Sequence, residues 1–155
     1  MNTKNILATF IVTLFWSSLT LADGNQNIQI YHKKAEFADA RQDLIDAIID
    51  RGYVVDYNGR VGDMLKRTRA EVGGKPLYRN AEYMSFCSAV LSRQMMADNR
   101  ENISYCPFVI TVYEAESSPG TIYLSYRRPT AGNDANPSLA AIEKMYQEIA
   151  SAALE

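Results

Sequence analysis

The sequence predicts an α+β fold in a single domain, with amphipathic helices covering a β-sheet. Three patterns support this prediction. Strand-like and helix-like segments alternate in the first half, two β-rich segments flank a Ser-Pro-Gly turn, and an amphipathic helix comes last. A helix that is apolar along one stripe must bury that stripe against another element, which here is a sheet face. The length of 155 residues suits one hydrophobic core.

The first half of the chain predicts the order strand, helix, strand, helix. Residues 28–32 begin with the alternation of a half-buried strand, and residues 37–50 carry apolar side chains at helical spacing up to a glycine stop. Residues 53–57 are rich in strand-forming residues, and the Asn-Gly pair at 58–59 predicts a turn that ends this strand. A shorter helix from residue 61 ends at two glycines.

The second half predicts a strand over 82–87, a short helix over 89–96 and a central strand over 108–113. The central strand is a continuous apolar run, which indicates burial on both faces or nearly so. After a hairpin loop, residues 121–128 alternate between apolar and polar side chains. The last helix begins with Asn136 as N-cap and Pro137 at its first position. Its predicted buried stripe comprises Leu139, Ile142, Met145, Tyr146 and Ile149.

Residues 1–22 predict a secretory signal peptide. One lysine precedes an uncharged apolar run that ends in small residues, and we expect cleavage after Ala22. An uncleaved N-terminal anchor is the alternative, but the run is short for a bilayer span and no basic cluster follows it. The expected location of the mature chain is therefore the periplasm, where it needs no membrane contact.

The charge balance argues against nucleic acid as a partner. The chain has 16 Lys and Arg against 18 Asp and Glu, a formal net charge of −2. Phosphate binding needs clustered basic residues, and the one local cluster, at 66–69, is flanked by acidic residues. We interpret that cluster as the solvated face of a helix.

Cys87 and Cys106 are the two cysteines of the chain. In an oxidising compartment a pair of this kind usually forms a disulfide, and closing the loop between them would stabilise the fold by about 3 kcal/mol. Two free thiols in the core, or a redox pair, are the alternatives. No Cys-x-x-Cys motif is present to lower the pKa of either thiol.

A copper site is a further alternative, because soft ligands suit Cu(I). The candidate ligands are Cys87, Cys106, Met95, Met96 and His32. No spacing among them fixes a coordination geometry, and adjacent methionines on a helix point in different directions. Methionine as adaptable core filler explains Met95 and Met96 better, so no cofactor is predicted. His32 is the single histidine, and no motif supplies it with partners for a catalytic triad.

Tyrosine is abundant on the predicted strands, with ten in the chain. The simpler interpretation is aromatic packing beneath the helices. The functional interpretation is a strand face left open, where Tyr113, Tyr123, Arg127 and Arg128 line a binding groove. The two arginines suit bidentate binding of an anion, although a solvated pair beside a turn is the commoner arrangement.

Five segments form a recognisable pattern: Asp56-Tyr57, Val61-Gly62-Asp63-Met64-Leu65, residues 83–89, residues 102–114 and Ile122-Tyr123-Leu124-Ser125-Tyr126-Arg127-Arg128-Pro129. Together they resemble an exported branch of the family called domain of unknown function 302. The resemblance implies a curved, mainly antiparallel sheet that carries helices, similar to the TBP-like architecture, and a tendency to form homodimers. It supplies no catalytic residue. The chain accordingly divides into the signal peptide (1–22), a lead-in with the first strand (23–35) and the family domain (36–155).

Two functional hypotheses follow. In the first, the protein is an exported, non-enzymatic module that binds a ligand or partner, because nothing in the sequence supplies the paired acid–base groups or nucleophile of an enzyme. In the alternative, it is a small thiol-redox or copper-handling protein that uses Cys87 and Cys106.

Overall fold

The computed structural model describes residues 27–132 and 136–155, so the predicted signal peptide at 1–22 lies outside the described residues. Ten elements follow one another in this part of the chain, and they confirm the predicted α+β class. They are β1 (Ile28–Lys34), α1 (Phe37–Ile49), β2 (Val55–Gly59), α2 (Val61–Val72), β3 (Tyr78–Phe86), α3 (Ala89–Asp98), a 3-10 helix (Arg100–Tyr105), β4 (Phe108–Ala115), β5 (Thr121–Arg127) and α4 (Pro137–Ala152).

The five strands form one antiparallel sheet in the order β1-β5-β4-β3-β2. β4 and β5 are joined by a short hairpin, whereas β1 reaches β5 from the far end of the sequence. β1 and β2 are the two edges, so the sheet is open and not closed into a barrel. The antiparallel sheet that the resemblance implied is thereby confirmed.

One face of the sheet, which we call the core face, packs against α1 and α4. On β4 and β5 the fully buried side chains alternate with half-buried ones, as the alternation predicted for β5. The predicted stripe of α4 is buried throughout. Tyr146 of this stripe stacks on Tyr126 at 4.5 Å between ring centroids and meets Phe86 and Phe108 edge-on. The hydrophobic core therefore lies between these two helices and the sheet.

The opposite face of the sheet, which we call the open face, is only half-buried along β4. Val109, Thr111 and Tyr113 lie there, between the buried residues Phe108, Ile110 and Val112 of the core face. The sequence predicts that this strand is buried on both faces or nearly so. The core face is fully buried, whereas the residues on the open face are only half-buried. The run is continuously apolar because Val109 and Tyr113, which point to the open face, are also apolar or aromatic.

The turn predicted at Asn58-Gly59 is wrong, because both residues belong to β2 and pair with β3. Gly59 lies against the ring of Tyr83, and a Cβ atom at Gly59 would lie 2.0 Å from Tyr83 Cε1. The glycine therefore allows a close approach to Tyr83 as the last paired residue of β2.

The short helix predicted over 89–96 is α3, and the 3-10 helix that follows it was not predicted. Asn102 in the 3-10 helix is buried and donates a hydrogen bond from Nδ2 to the carbonyl of Met95, which closes the end of α3. In the described residues no helix has the length and apolar character that a bilayer span requires.

Candidate functional site

Four aromatic side chains form a continuous row across the open face, which we call the aromatic row. It comprises His32 of β1, Tyr123 of β5, Tyr113 of β4 and Tyr78 of β3. Tyr113 and Tyr123 stack with ring centroids 5.1 Å apart and an interplanar angle of 11°. His32 lies 6.0 Å from Tyr123, and Tyr78 meets Tyr113 edge-on at 5.5 Å. Two residues predicted to line a binding surface, Tyr113 and Tyr123, are thus its centre.

The register of the sheet produces this row. His32 pairs with Tyr123 across β1 and β5, and Tyr123 pairs with Tyr113 across β5 and β4. Directly paired residues of antiparallel strands have Cβ atoms about 5 Å apart, which is stacking distance for aromatic rings. Tyr78 lies before the strand that the sequence predicts over 82–87. It joins the row because β3 begins earlier than expected, opposite Ala115.

Uncharged hydroxyl groups border the row on one side, and Lys34, whose Nζ donates to Thr121 Oγ1 at 2.6 Å, borders it on the other. Thr111 and Ser125 hydrogen-bond to each other at 2.6 Å beside the tyrosine stack. A second aromatic pair, Tyr57 and Tyr83, lies on the β2 side of this face at 5.9 Å between centroids. On the other side, Ile30 of β1 is 51% exposed. The open face is therefore a broad apolar and aromatic surface that water still reaches.

The chemistry of the row is that of neutral phenols. Partial burial, and then the nearby Tyr78 and Tyr123, raise the pKa of the Tyr113 phenol above its ordinary value. Tyr113 therefore stays protonated at neutral pH, where its hydroxyl can donate a hydrogen bond. A neutral phenol stacked on another ring suits binding through packing and hydrogen bonds.

The two candidate arginines go to different sides of the sheet. Arg127 is exposed, and its place in the alternation of β5 puts it on the same face as Tyr123 and Ser125. Arg128 instead donates from Nε to Glu143 Oε1 of α4 at 3.1 Å. The structure thus brings Arg127 to the open face and leaves Arg128 in the helix layer.

Glu143 is a buried carboxylate that sequence reasoning missed, because it lies beside the apolar stripe of α4 and looks like an ordinary surface residue. Its Oε1 also accepts from the hydroxyl of Tyr126 at 3.3 Å, and its Oε2 accepts from Thr130 at 3.2 Å. This network ties the end of β5 to α4 and accounts for Arg128 structurally.

Cys87 directly follows β3, and Cys106 lies just before β4. Both are free thiols in this structure, with Cys87 exposed and Cys106 half-buried. The two side chains lie close enough that Cys106 raises the pKa of the Cys87 thiol, and Ser92 Oγ lies 3.1 Å from Cys106 Sγ. The predicted disulfide stays a prediction. The structure brings its two partners together.

The remaining candidate metal ligands are not gathered around the thiols. Met95 is fully buried in the core, and Met96 packs against the same core. His32 belongs to the aromatic row on β1, about three strand spacings, or about 14 Å, from β3. Among residues 27–132 and 136–155, no group of three or more His, Cys, Asp or Glu side chains is placed to hold a metal ion.

Comparison with known proteins identifies a family and a fold. The family model described as domain of unknown function DUF302 matches residues 29–155. A similar solved structure is the crystal structure of an uncharacterized conserved DUF302 protein from Bacillus stearothermophilus. It has 16% sequence identity and a TM-score of 0.67, and the match covers 83% of this chain and 99% of the other. No curated protein shows a significant sequence match.

The Glu143 network predicts a specific loss of stability. We expect Glu143→Gln to lower the free energy of unfolding by about 1.5 to 3 kcal/mol, because it weakens charge-assisted hydrogen bonds in a buried place. The control is Glu148→Gln on the same helix, where half-exposed ion pairs with Arg51 and Lys144 are worth less than about 1 kcal/mol. Urea denaturation of the two variants measures the difference, and equal losses would show that the network is not a structural anchor.

Proposed function

The chain belongs to the DUF302 family, and we propose that it is an exported, non-enzymatic interaction module that binds through its open face. The observation that supports this proposal is the aromatic row, which lies half-buried or exposed on a sheet whose other face is already filled by helices. Large contiguous patches of exposed apolar and aromatic side chains mark interaction sites, whereas single exposed apolar residues are ordinary on protein surfaces.

The shape of the open face favours a protein surface as the partner over a small molecule. Small-molecule sites are concave and enclose most of the ligand. Two cavities of the described structure, one between α3 and α4 and one beside Cys87, are lined by none of the residues of the aromatic row. A broad, flat sheet face lined with aromatic rings is better suited to contact with another broad protein surface.

The composition of the open face also matches the buried centre of a protein interface. Such centres are enriched in tyrosine and depleted of charge. The side chains at the middle of this face are all uncharged: Tyr113, Tyr123, Thr111 and Ser125. The charged residues Arg127 and Lys34 lie at the ends of their strands. An uncharged centre with charges at the rim excludes water without burying an unpaired charge.

The partner we propose is a second copy of this chain. Five strands spaced about 4.8 Å apart and about seven residues long span a face of at most about 550 Å², because α2 packs against β3 at the buried Ala81. Two such faces in contact remove at most about 1,100 Å², which is the size of a weak, reversible interface. The family resemblance implies the same tendency to dimerise, and an uncharged aromatic face carries no like charges that would repel its own copy.

Sedimentation velocity with two matched variants tests the dimer. Ile30 on the open face and Ile49 at the end of α1 are 51% and 52% exposed, so Ile30→Lys and Ile49→Lys make the same change at equal exposure. We expect Ile30→Lys to weaken dimerisation at least about tenfold, because it buries a lysine in the interface. Ile49→Lys should leave the dimer unchanged.

Two results would contradict this proposal. One is a protein that stays monomeric from about 1 μM to about 1 mM, the range in which an interface of this size dissociates. The other is an equal effect of the two lysines. Circular dichroism of both variants checks that neither has lost its fold.

Export is proposed from the apolar N-terminal run and the small residues Thr20 and Ala22 that end it. We expect the protein recovered from the exported fraction of expressing bacteria to have an intact mass that lacks residues 1–22. An Ala22→Leu variant should be processed poorly, because signal cleavage needs a small residue at this position. A full-length mass for the unaltered protein would show an uncleaved anchor instead.

A further inference from the structure

The two thiols lie where the antiparallel ladder of β3 and β4 ends. Phe86 pairs with Phe108, so the chain leaves β3 at Cys87 and enters β4 from Cys106 on the neighbouring strand. The intervening segment, α3 and the 3-10 helix, starts and finishes at this point. The thiol contact therefore rests on strand register and belongs to the folded framework.

The Cys87 thiol is open to solvent through a cavity of about 370 Å³. Tyr53, Asp56 and Ser88 line this cavity together with Cys87, and the ring of Tyr53 is held by stacking on Phe86 at 5.7 Å. Cys106 is half-buried against the core. Cys87 is thus accessible to a small molecule, whereas Cys106 is placed to react with Cys87.

Each sulfur also has a group beside it that can donate a hydrogen bond. The backbone N–H of Phe108 acts to lower the pKa of the Cys87 thiol, and the hydroxyl of Ser92 lies 3.1 Å from Cys106 Sγ. Donors of this kind stabilise a thiolate when it forms, either as the attacking group or as the leaving group. A purely structural disulfide needs neither an open cavity nor these donors.

We propose that Cys87 and Cys106 form a thiol–disulfide exchange site for small disulfides. The Cys87 thiolate, having lost its proton to solvent, attacks one sulfur of a small disulfide R–S–S–R. A mixed disulfide forms on Cys87, and the first R–S⁻ leaves and takes up a proton. The Cys106 thiolate then attacks the Cys87 sulfur, which expels the second R–S⁻. The protein gains one disulfide and loses two hydrogens, and the small disulfide is reduced to two R–SH.

The exchange should be slow at neutral pH and faster in alkali. Partial burial raises the pKa of the Cys87 thiol, and the neighbouring Cys106 and Asp56 raise it further, while the N–H of Phe108 opposes them. Since only the thiolate attacks, removing the charge of Asp56 should increase the thiolate fraction. Asp56→Asn is therefore expected to speed the reaction. Asp63→Asn should not, because Asp63 lies on α2 and its exposed carboxylate pairs with Arg60.

Intact-mass spectrometry of the reduced protein with 2-hydroxyethyl disulfide tests the proposal. We expect the native protein to pass through a single adduct to a form that has lost two hydrogens. Cys106→Ser should stop at the adduct on Cys87, and Cys87→Ser should react at least about tenfold more slowly, because Cys106 is half-buried. Ile30→Lys lies on the edge strand β1, three strands away from β3 and Cys87, and should react like the native protein. Because this variant is expected to weaken the dimer, the result separates the exchange test from the dimer test.

Two outcomes would overturn the exchange site. One is the absence of the intramolecular disulfide in the native protein under conditions in which the urea-unfolded protein reacts. The other is a rate that rises with low urea concentrations, which would mean that the thiols react only after local opening. Both measurements use the native sequence, so they hold even if a cysteine variant fails to fold.

Discussion

The packing of Tyr146 against the aromatic side chains of the core face is the contact on which the rest of the structure depends. Its ring stacks on Tyr126 and meets Phe86 and Phe108 edge-on, and its hydroxyl accepts a hydrogen bond from the backbone N–H of Val109. One α4 side chain thereby joins β3, β4 and β5 and satisfies a backbone donor. Burial also raises the pKa of this phenol, so the ring stays neutral in the core.

Because α1 and α4 cover the core face, the side chains on the open face are the ones left available for binding. Side chains alternate along each strand, so every core residue of β4 and β5 has a neighbour on the open face. Those neighbours pair into the aromatic row because the sheet register places Tyr113 beside Tyr123 and Tyr123 beside His32. The end of the same β3–β4 ladder brings the two thiols together. Both proposed sites are consequences of one sheet whose core face is covered by α1 and α4.

The sequence allowed the elements with strong local periodicity to be predicted. The stripe of α4 and the alternation of β5 are buried as expected, because burial follows the repeat of the element itself. Features that depend on distant partners were not predictable. Gly59 looks like a turn residue until Tyr83 is placed over it, and Arg128 looks solvated until α4 brings Glu143 to it. Tyr113 and Tyr123 were among the four residues predicted to line a binding groove, but their stacking depends on the sheet register.

We propose that a second copy of the chain covers the open face. An isotope-filtered NOE experiment on a mixture of labelled and unlabelled protein, at a concentration that favours the dimer, observes this interface directly. We expect intermolecular contacts to the ring protons of Tyr113 and Tyr123 and to the methyl groups of Ile30. Intermolecular contacts confined to the helix layer, for example to Ile49, with none on the aromatic row, would contradict it.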